Sequence, residues 1–157
     1  MRTFFVIVIL ALSTAIGANA QSIRLGEQIP ALNLTTNIDE TLAMYNRDYT
    51  CLIFAHSESK PCVDAMRNFV TTAEQMERSC TIVVITGEEE ENSEVITERL
   101  SCEEYILAFD NGNRTLKAFG INHIPFVVIY RTKNSRIEWF GPINHVDDDI
   151  VKRLSKR

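Results

Sequence analysis

An α/β fold with a central mixed sheet and helices on both faces is predicted by three observations. Thr50 to Ala55, Thr81 to Thr86 and Phe126 to Tyr130 are apolar on successive residues, as in strands covered on both sides. Helical periodicity separates the first two. The last runs through a turn into a further strand, which calls for an antiparallel hairpin.

The elements follow in order. Leu32 and Leu34 alternate with polar neighbours, a short edge-strand pattern. After the Thr50–Ala55 strand, Val63, Met66, Phe69, Val70, Ala73 and Met76 recur at steps of three and four, one face of a helix. Ser59 suits its N-cap, and Pro61 suits its first turn. Residues 90–100 read as a second helix. The run Glu88 to Glu91 reads as its solvated start, since it lacks the alternating oxygens and glycine of a calcium loop.

Tyr105 to Phe109 reads as a short strand or loop, with Asp110-Asn111-Gly112 as a turn. Residues 113–119 are a short helix ended by Gly120. Lys133-Asn134-Ser135 turns the strand 126–130 back into Arg136–Phe140. Asp147 to Leu154 closes the chain as a helix, with Ile150, Val151 and Leu154 inward and acidic residues at its positive end.

The first 20 of the 157 residues stand apart from this pattern. Arg2, the apolar run Phe4–Leu12 and the small-x-small triplet Ala18-Asn19-Ala20 read as a secretory signal peptide cut after Ala20. The run is short for a bilayer span, and no second one follows, so a soluble exported domain over 21–157 is expected. Removing Arg2 takes the formal net charge from −5 to −6. That balance offers no basic stripe for nucleic acid and no polybasic membrane patch.

All four cysteines, Cys51, Cys62, Cys80 and Cys102, lie in the domain, where export permits disulfides. Three full pairings exist, and sequence does not choose among them. Cys51 and Cys80 fall near the starts of neighbouring strands, where a bridge would be strained. Cys102 follows a helix end, where exposure is open to it, and the alternative is that Cys51, Cys80 and Cys102 are all buried free thiols. No spacing fits a zinc site, and no organic cofactor is implied. Asn33-Leu34-Thr35 and Asn113-Arg114-Thr115 match glycosylation acceptors, relevant only in a eukaryotic secretory route.

Three stretches carry a family likeness. They are Gly26 to Leu34, the strand–loop–helix start Leu52 to Cys62 with Met66, and Gly120-Ile121-Asn122-His123-Ile124-Pro125-Phe126. In this order they resemble the TlpA-like branch of the thioredoxins, exported thiol–disulfide proteins related to the peroxiredoxins. The resemblance covers most of residues 25–157 and implies the thioredoxin fold, a cis proline at Pro125 and a bacterial periplasm or secretion. It implies a protein thiol, disulfide or peptide as partner. In such a fold the loop of Ile124 and Pro125 offers backbone groups to an extended peptide.

The departure is central. With Cys62 on the family's second active-site cysteine, the first falls on Ser59, in Ser59-Lys60-Pro61-Cys62. A serine hydroxyl is not ionised near neutral pH and forms no disulfide, so a two-cysteine cycle within the motif is excluded. Cys62 is left as the candidate nucleophile. The helix N-terminus and Lys60 are the features that would favour its thiolate. Against this, the second position is usually shielded, with Cys62 a small core residue and Ser59 only a cap.

A peroxiredoxin-like reading also fits, with the Ser59 hydroxyl orienting a peroxide for Cys62. The proline which that family carries at the place of Ala55 is missing. The resemblance brings His56 and His123 toward Cys62, whereas His145 and Trp139 read as surface and packing residues. Three functions stay open: thiol–disulfide handling through Cys62, a non-catalytic peptide-binding module, and a thiol peroxidase.

Overall fold

The computed structural model describes residues 23–156. The residues read as a signal peptide lie outside that range. One five-stranded sheet organises the chain, in the order β3-β2-β1-β4-β5. Its strands are β1 (Tyr49–Phe54), β2 (Cys80–Thr86), β3 (Ile106–Phe109), β4 (Phe126–Arg131) and β5 (Ile137–Pro142). β1, β2 and β3 run parallel, β4 pairs antiparallel with β1, and β5 pairs antiparallel with β4. The helices are α1 (Asp39–Tyr45), α2 (Lys60–Met76), α3 (Ser93–Leu100), α4 (Arg114–Ala118) and α5 (Asp148–Ser155).

The apolar runs are explained by two cores, one on each face. Cys51 and Ile53, Ile82 and Val84, and Val127 and Ile129 face α2, α3 and α5 through Met66, Phe69, Met76, Ile96, Leu100, Val151 and Leu154. The alternate residues Leu52, Phe54, Val83, Ile85, Val128 and Tyr130 join Ile38, Leu42 and Phe119 on the other face. Every residue of β1 and β2 is buried, so neither strand shows polar alternation.

Most expected elements are present, and the exceptions have physical causes. Residues 90–100 divide into a 3-10 turn at Glu90–Asn92 and then α3. Leu32 and Leu34 do not form an edge strand. The free edge at the start of β5 is taken earlier, where the Gly26 N–H bonds Ile137 O and the Ile29 N–H bonds Ser135 O. The chain then crosses the sheet face. The Asn33 N–H donates to Thr115 Oγ1 and the Thr35 N–H to Phe109 O, while Leu32 and Leu34 cover the second core. α1 carries no sequence signal, because only Leu42 within it is buried and its N-terminus has no side-chain cap. Cys102 is not exposed: at 1% accessibility it belongs to the core under α3.

Candidate functional site

The loops following β1, β2 and β3 meet at one end of the sheet with the loop preceding β4. In open parallel sheets this carboxyl end is where ligand sites form. Ser59 is the N-cap of α2, in extended conformation, and its Oγ accepts from the Cys62 N–H at 3.4 Å. Pro61 lies in the first turn, where a missing N–H has no consequence. Cys62 is wholly buried and packs in the core that holds Met66 and Val127. The Ile124–Pro125 peptide bond is cis. Both residues are half-buried, and Ile124 packs against both cores.

The remaining candidates divide. Lys60 is exposed, and its Nζ is engaged by Asp64 Oδ2 at 2.6 Å, so its charge turns along the helix surface. That hydrogen bond holds the Asp64 carboxyl below its ordinary value. His123 is exposed, with Nδ1 2.9 Å from Asn122 Oδ1 and its ring edge-on to Phe126. His145 is exposed, as read, and Trp139 lies against Gly141 and the first core. His56 is half-buried at the end of β1, where its Nδ1 accepts from the Glu58 N–H at 3.2 Å. The same nitrogen stands 3.7 Å from Glu88 Oε1, beyond hydrogen-bond reach.

Two residues that pattern reading did not single out hold this end together. Ser57 is 4% exposed and binds Glu88 twice. Its N–H donates to Oε2 at 2.8 Å and its hydroxyl to Oε1 at 2.5 Å. Thr86 Oγ1 donates to Oε2 at 2.8 Å. Burial alone would raise the Glu88 carboxyl. The hydrogen bonds from Ser57 and Thr86 and the neighbouring His56 outweigh it, and the carboxyl is held below its ordinary value. Glu88 is therefore not a solvated helix start, although Glu89, Glu90 and Glu91 are exposed as expected. A run of four glutamates conceals which one is held.

Behind these loops lies a cavity of about 40 Å³, lined by Phe54, His56, Ile85, Asn113, Leu116 and Ile124 among others. In front of α2 an open trough of about 580 Å³ carries Lys60, Arg67 and Arg99 beside Glu58 and Asp64. Two of its three cations are paired, Lys60 with Asp64 and Arg99 with Glu58, so the excess is one positive charge.

The cysteines are all free. Cys51 pairs in register with Ile82, and Cys80 with Tyr49. The two are thus neighbours on adjacent strands but offset by two residues. That offset puts their Cα atoms roughly 8 Å apart, beyond the span of a relaxed disulfide.

The strand order, the α2 position after β1 and the cis proline before β4 define an α/β protein of the thioredoxin fold. Solved structures with this fold include the thioredoxin domain of a thiol-disulfide oxidoreductase from Bacteroides vulgatus. It shares 15% identity and a TM-score of 0.63, over 85% of this chain and 97% of that one. A peroxiredoxin-like protein from Aquifex aeolicus matches at 13% identity and a TM-score of 0.61, over 85% and 87%. Reduced Prx3 of Vibrio vulnificus, in complex with hydrogen peroxide, matches at 14% and 0.61, over 76% and 86%. No protein-family model matches the sequence, and no curated protein matches it. Among the described residues, no helix is long and apolar enough to cross a membrane.

Proposed function

We propose that the chain is an exported thioredoxin-fold protein that handles thiols and disulfides through one cysteine, Cys62. The observation that carries this is its position. Cys62 is the one cysteine in the first turn of the helix that follows β1, with Ser59 capping that turn. The chemistry is a one-cysteine exchange. The Cys62 thiolate attacks a disulfide RS–SR′, forms Cys62–S–SR and releases R′S⁻. An external thiol R″SH then attacks the bound RS sulfur, releasing RS–SR″ and returning Cys62 to the thiol pool. The Ile124–Pro125 loop supplies the wall for an extended substrate segment. Residues 1–20 provide export to a periplasm or beyond.

The test is incubation of the native protein with an aromatic disulfide, followed by peptide mass spectrometry. Cys62 is expected to carry the adduct while Cys51, Cys80 and Cys102 stay free, and Cys62→Ser to carry none. No native adduct at Cys62 would overturn the reading.

A second reading is supported by the complete burial of Cys62. It is a non-catalytic module that holds a peptide beside Pro125. It predicts that Cys62→Ala leaves peptide binding intact, and loss of binding in that variant would refute it.

A further inference from the structure

We propose that Glu88 is a positioning residue whose carboxylate clamps the 56–59 loop shut over the first turn of α2, and so controls access to the Cys62 thiol. The inference deepens the redox reading above and rests on it for its purpose, but its test does not.

The geometry is that of a cross-link between two loops. Glu88 belongs to the segment after β2, and Ser57 to the turn between β1 and α2, 31 residues earlier. Both carboxylate oxygens are used. One takes the Ser57 hydroxyl, and the other takes the Ser57 N–H and the Thr86 hydroxyl. Charge-assisted bonds of this type are about twice as strong as neutral ones.

Ser57 is nearly sealed from water, so with the loop closed its two donors depend on the Glu88 carboxylate, and removing that carboxylate leaves them buried without it. The same turn holds the Ser59 N–H against His56 O, which fixes the N-cap. Cys62 itself has no exposed surface, and helix α2 continues from it without a break. A reagent must therefore reach its sulfur by displacing neighbouring structure, and the turn before the helix, joined to the segment after β2 through the Ser57–Glu88 side-chain bonds, is a piece that can give way.

The charged groups facing the carboxylate are few. His56 stands 3.7 Å away, and Glu58 of the same turn reaches outward to Arg99 at 3.9 Å. A glutamine at 88 keeps the shape and one oxygen, for the Ser57 N–H and the Thr86 hydroxyl, but loses the charge. Its amide can donate to the Ser57 oxygen.

The experiment is native-state alkylation, read cysteine by cysteine by mass spectrometry. Glu88→Ala is expected to speed labelling of Cys62 by at least about tenfold, the effect of one charge-assisted hydrogen bond. Cys51, Cys80 and Cys102 serve as internal controls and should not change. Ser57→Ala should act in the same direction, and Glu88→Gln, which keeps the shape but not the charge, should fall between wild type and Glu88→Ala.

An unchanged Cys62 rate in Glu88→Ala overturns the clamp. So does a rise shared by all four cysteines, which would mean that Glu88 stabilises the whole fold. If Glu88→Gln labels as fast as Glu88→Ala, hydrogen-bond geometry is not the agent and the inference falls. Labelling requires access and not turnover, so its failure is separable from failure of the disulfide adduct at Cys62.

Discussion

Ser59→Cys places a second sulfur three residues before Cys62 and tests whether the scaffold supports dithiol chemistry. The side chain at 59 already faces residue 62, its Oγ lying 3.4 Å from the Cys62 nitrogen. A thiol there sits at the N-terminus of a 17-residue helix with no acidic residue in its first turn. An unperturbed cysteine of pKa about 8.5 is roughly 3% thiolate at pH 7. A helix N-terminus that brings it to about 7 makes it half ionised, a gain of roughly 16-fold. The more acidic thiolate is a weaker nucleophile by roughly four- to sixfold, so the net gain from ionisation is only about threefold to fourfold.

The larger effect comes from the second sulfur. With Cys62 adjacent, resolution of the mixed disulfide becomes intramolecular, worth orders of magnitude over an external thiol. Insulin-disulfide reduction driven by dithiothreitol should therefore exceed wild type by at least about tenfold. The double variant Ser59→Cys with Cys62→Ala should accumulate a mixed disulfide without turnover. Sulfur is a poor cap acceptor, so Ser59→Cys should lose about 1 kcal/mol of stability, a fall in Tm of roughly 3–5 °C. A folded Ser59→Cys protein with no activity above wild type would refute the premise that this loop admits a disulfide substrate.

Other outcomes follow from single contacts. Asp110 is buried and accepts the N–H groups of Thr115 and Leu116, each at 2.9 Å. Asp110→Ala should lower the urea unfolding free energy by about 2–4 kcal/mol. A methyl group at Gly87 would fall 2.1 Å from Asn113 Oδ1. Gly87→Ala should therefore push the exposed Asn113 amide aside at a small cost, read as a coupling energy in a double-mutant cycle with Asn113→Ala, which also subtracts the strain of alanine at the positive φ of residue 113. Because the Glu88 carboxyl is held below its unfolded value, its contribution is present above about pH 4.3 and fades as pH falls through the lower folded value. Acid unfolding should be shallower in Glu88→Gln than in wild type.

What the sequence carried depended on how each signal is encoded. Strands buried on both faces write themselves as continuous apolar runs, so β1, β2 and β4 were legible. The amphipathic stripe of α2, its Ser59 cap and its proline at the first turn were equally plain. Burial also hides information. Leu32 and Leu34 alternate like a strand, yet the N–H groups of their neighbours Asn33 and Thr35 bond a threonine side chain and a strand end from distant parts of the chain. Cys102 follows a helix end, where exposure is common, but the turn tucks it beneath α3. The Ser57–Glu88 pair was invisible because a hydrogen bond between two loops leaves no periodicity. Lys60 looked like a thiolate-stabilising charge only while Asp64, four residues on, was left out of account.

The placement of the other cysteines decides how a Cys62 cycle must end. Cys80 opens β2, and six further residues of strand run from it to Thr86, a span of about 20 Å. Cys62 lies at the far end, in the first turn of a helix that runs back along the sheet and finishes at Met76, four residues before Cys80. Cys102 precedes β3, which is parallel to β2, so it shares the remote end with Cys80. Cys51 stands three residues before the end of β1, about 10 Å short of it.

None of these three is chemically ready to attack. Burial raises the Cys51 thiol well above its ordinary value, aided by neighbouring Cys80. Burial, with Asp48 beside it, takes Cys80 to about 12, and burial with Glu103 takes Cys102 to about 11. At neutral pH they are protonated, and their sulfurs are held in the core. A mixed disulfide at Cys62 therefore has no internal resolving partner and must wait for a thiol from outside. The decay of a purified adduct should thus scale with added small thiol. It should be the same in wild type and in a chain with Cys51, Cys80 and Cys102 all replaced by alanine. A slower decay in the replaced chain would show that the sheet opens far enough for one of them to reach Cys62, and the fixed geometry argued above would be wrong.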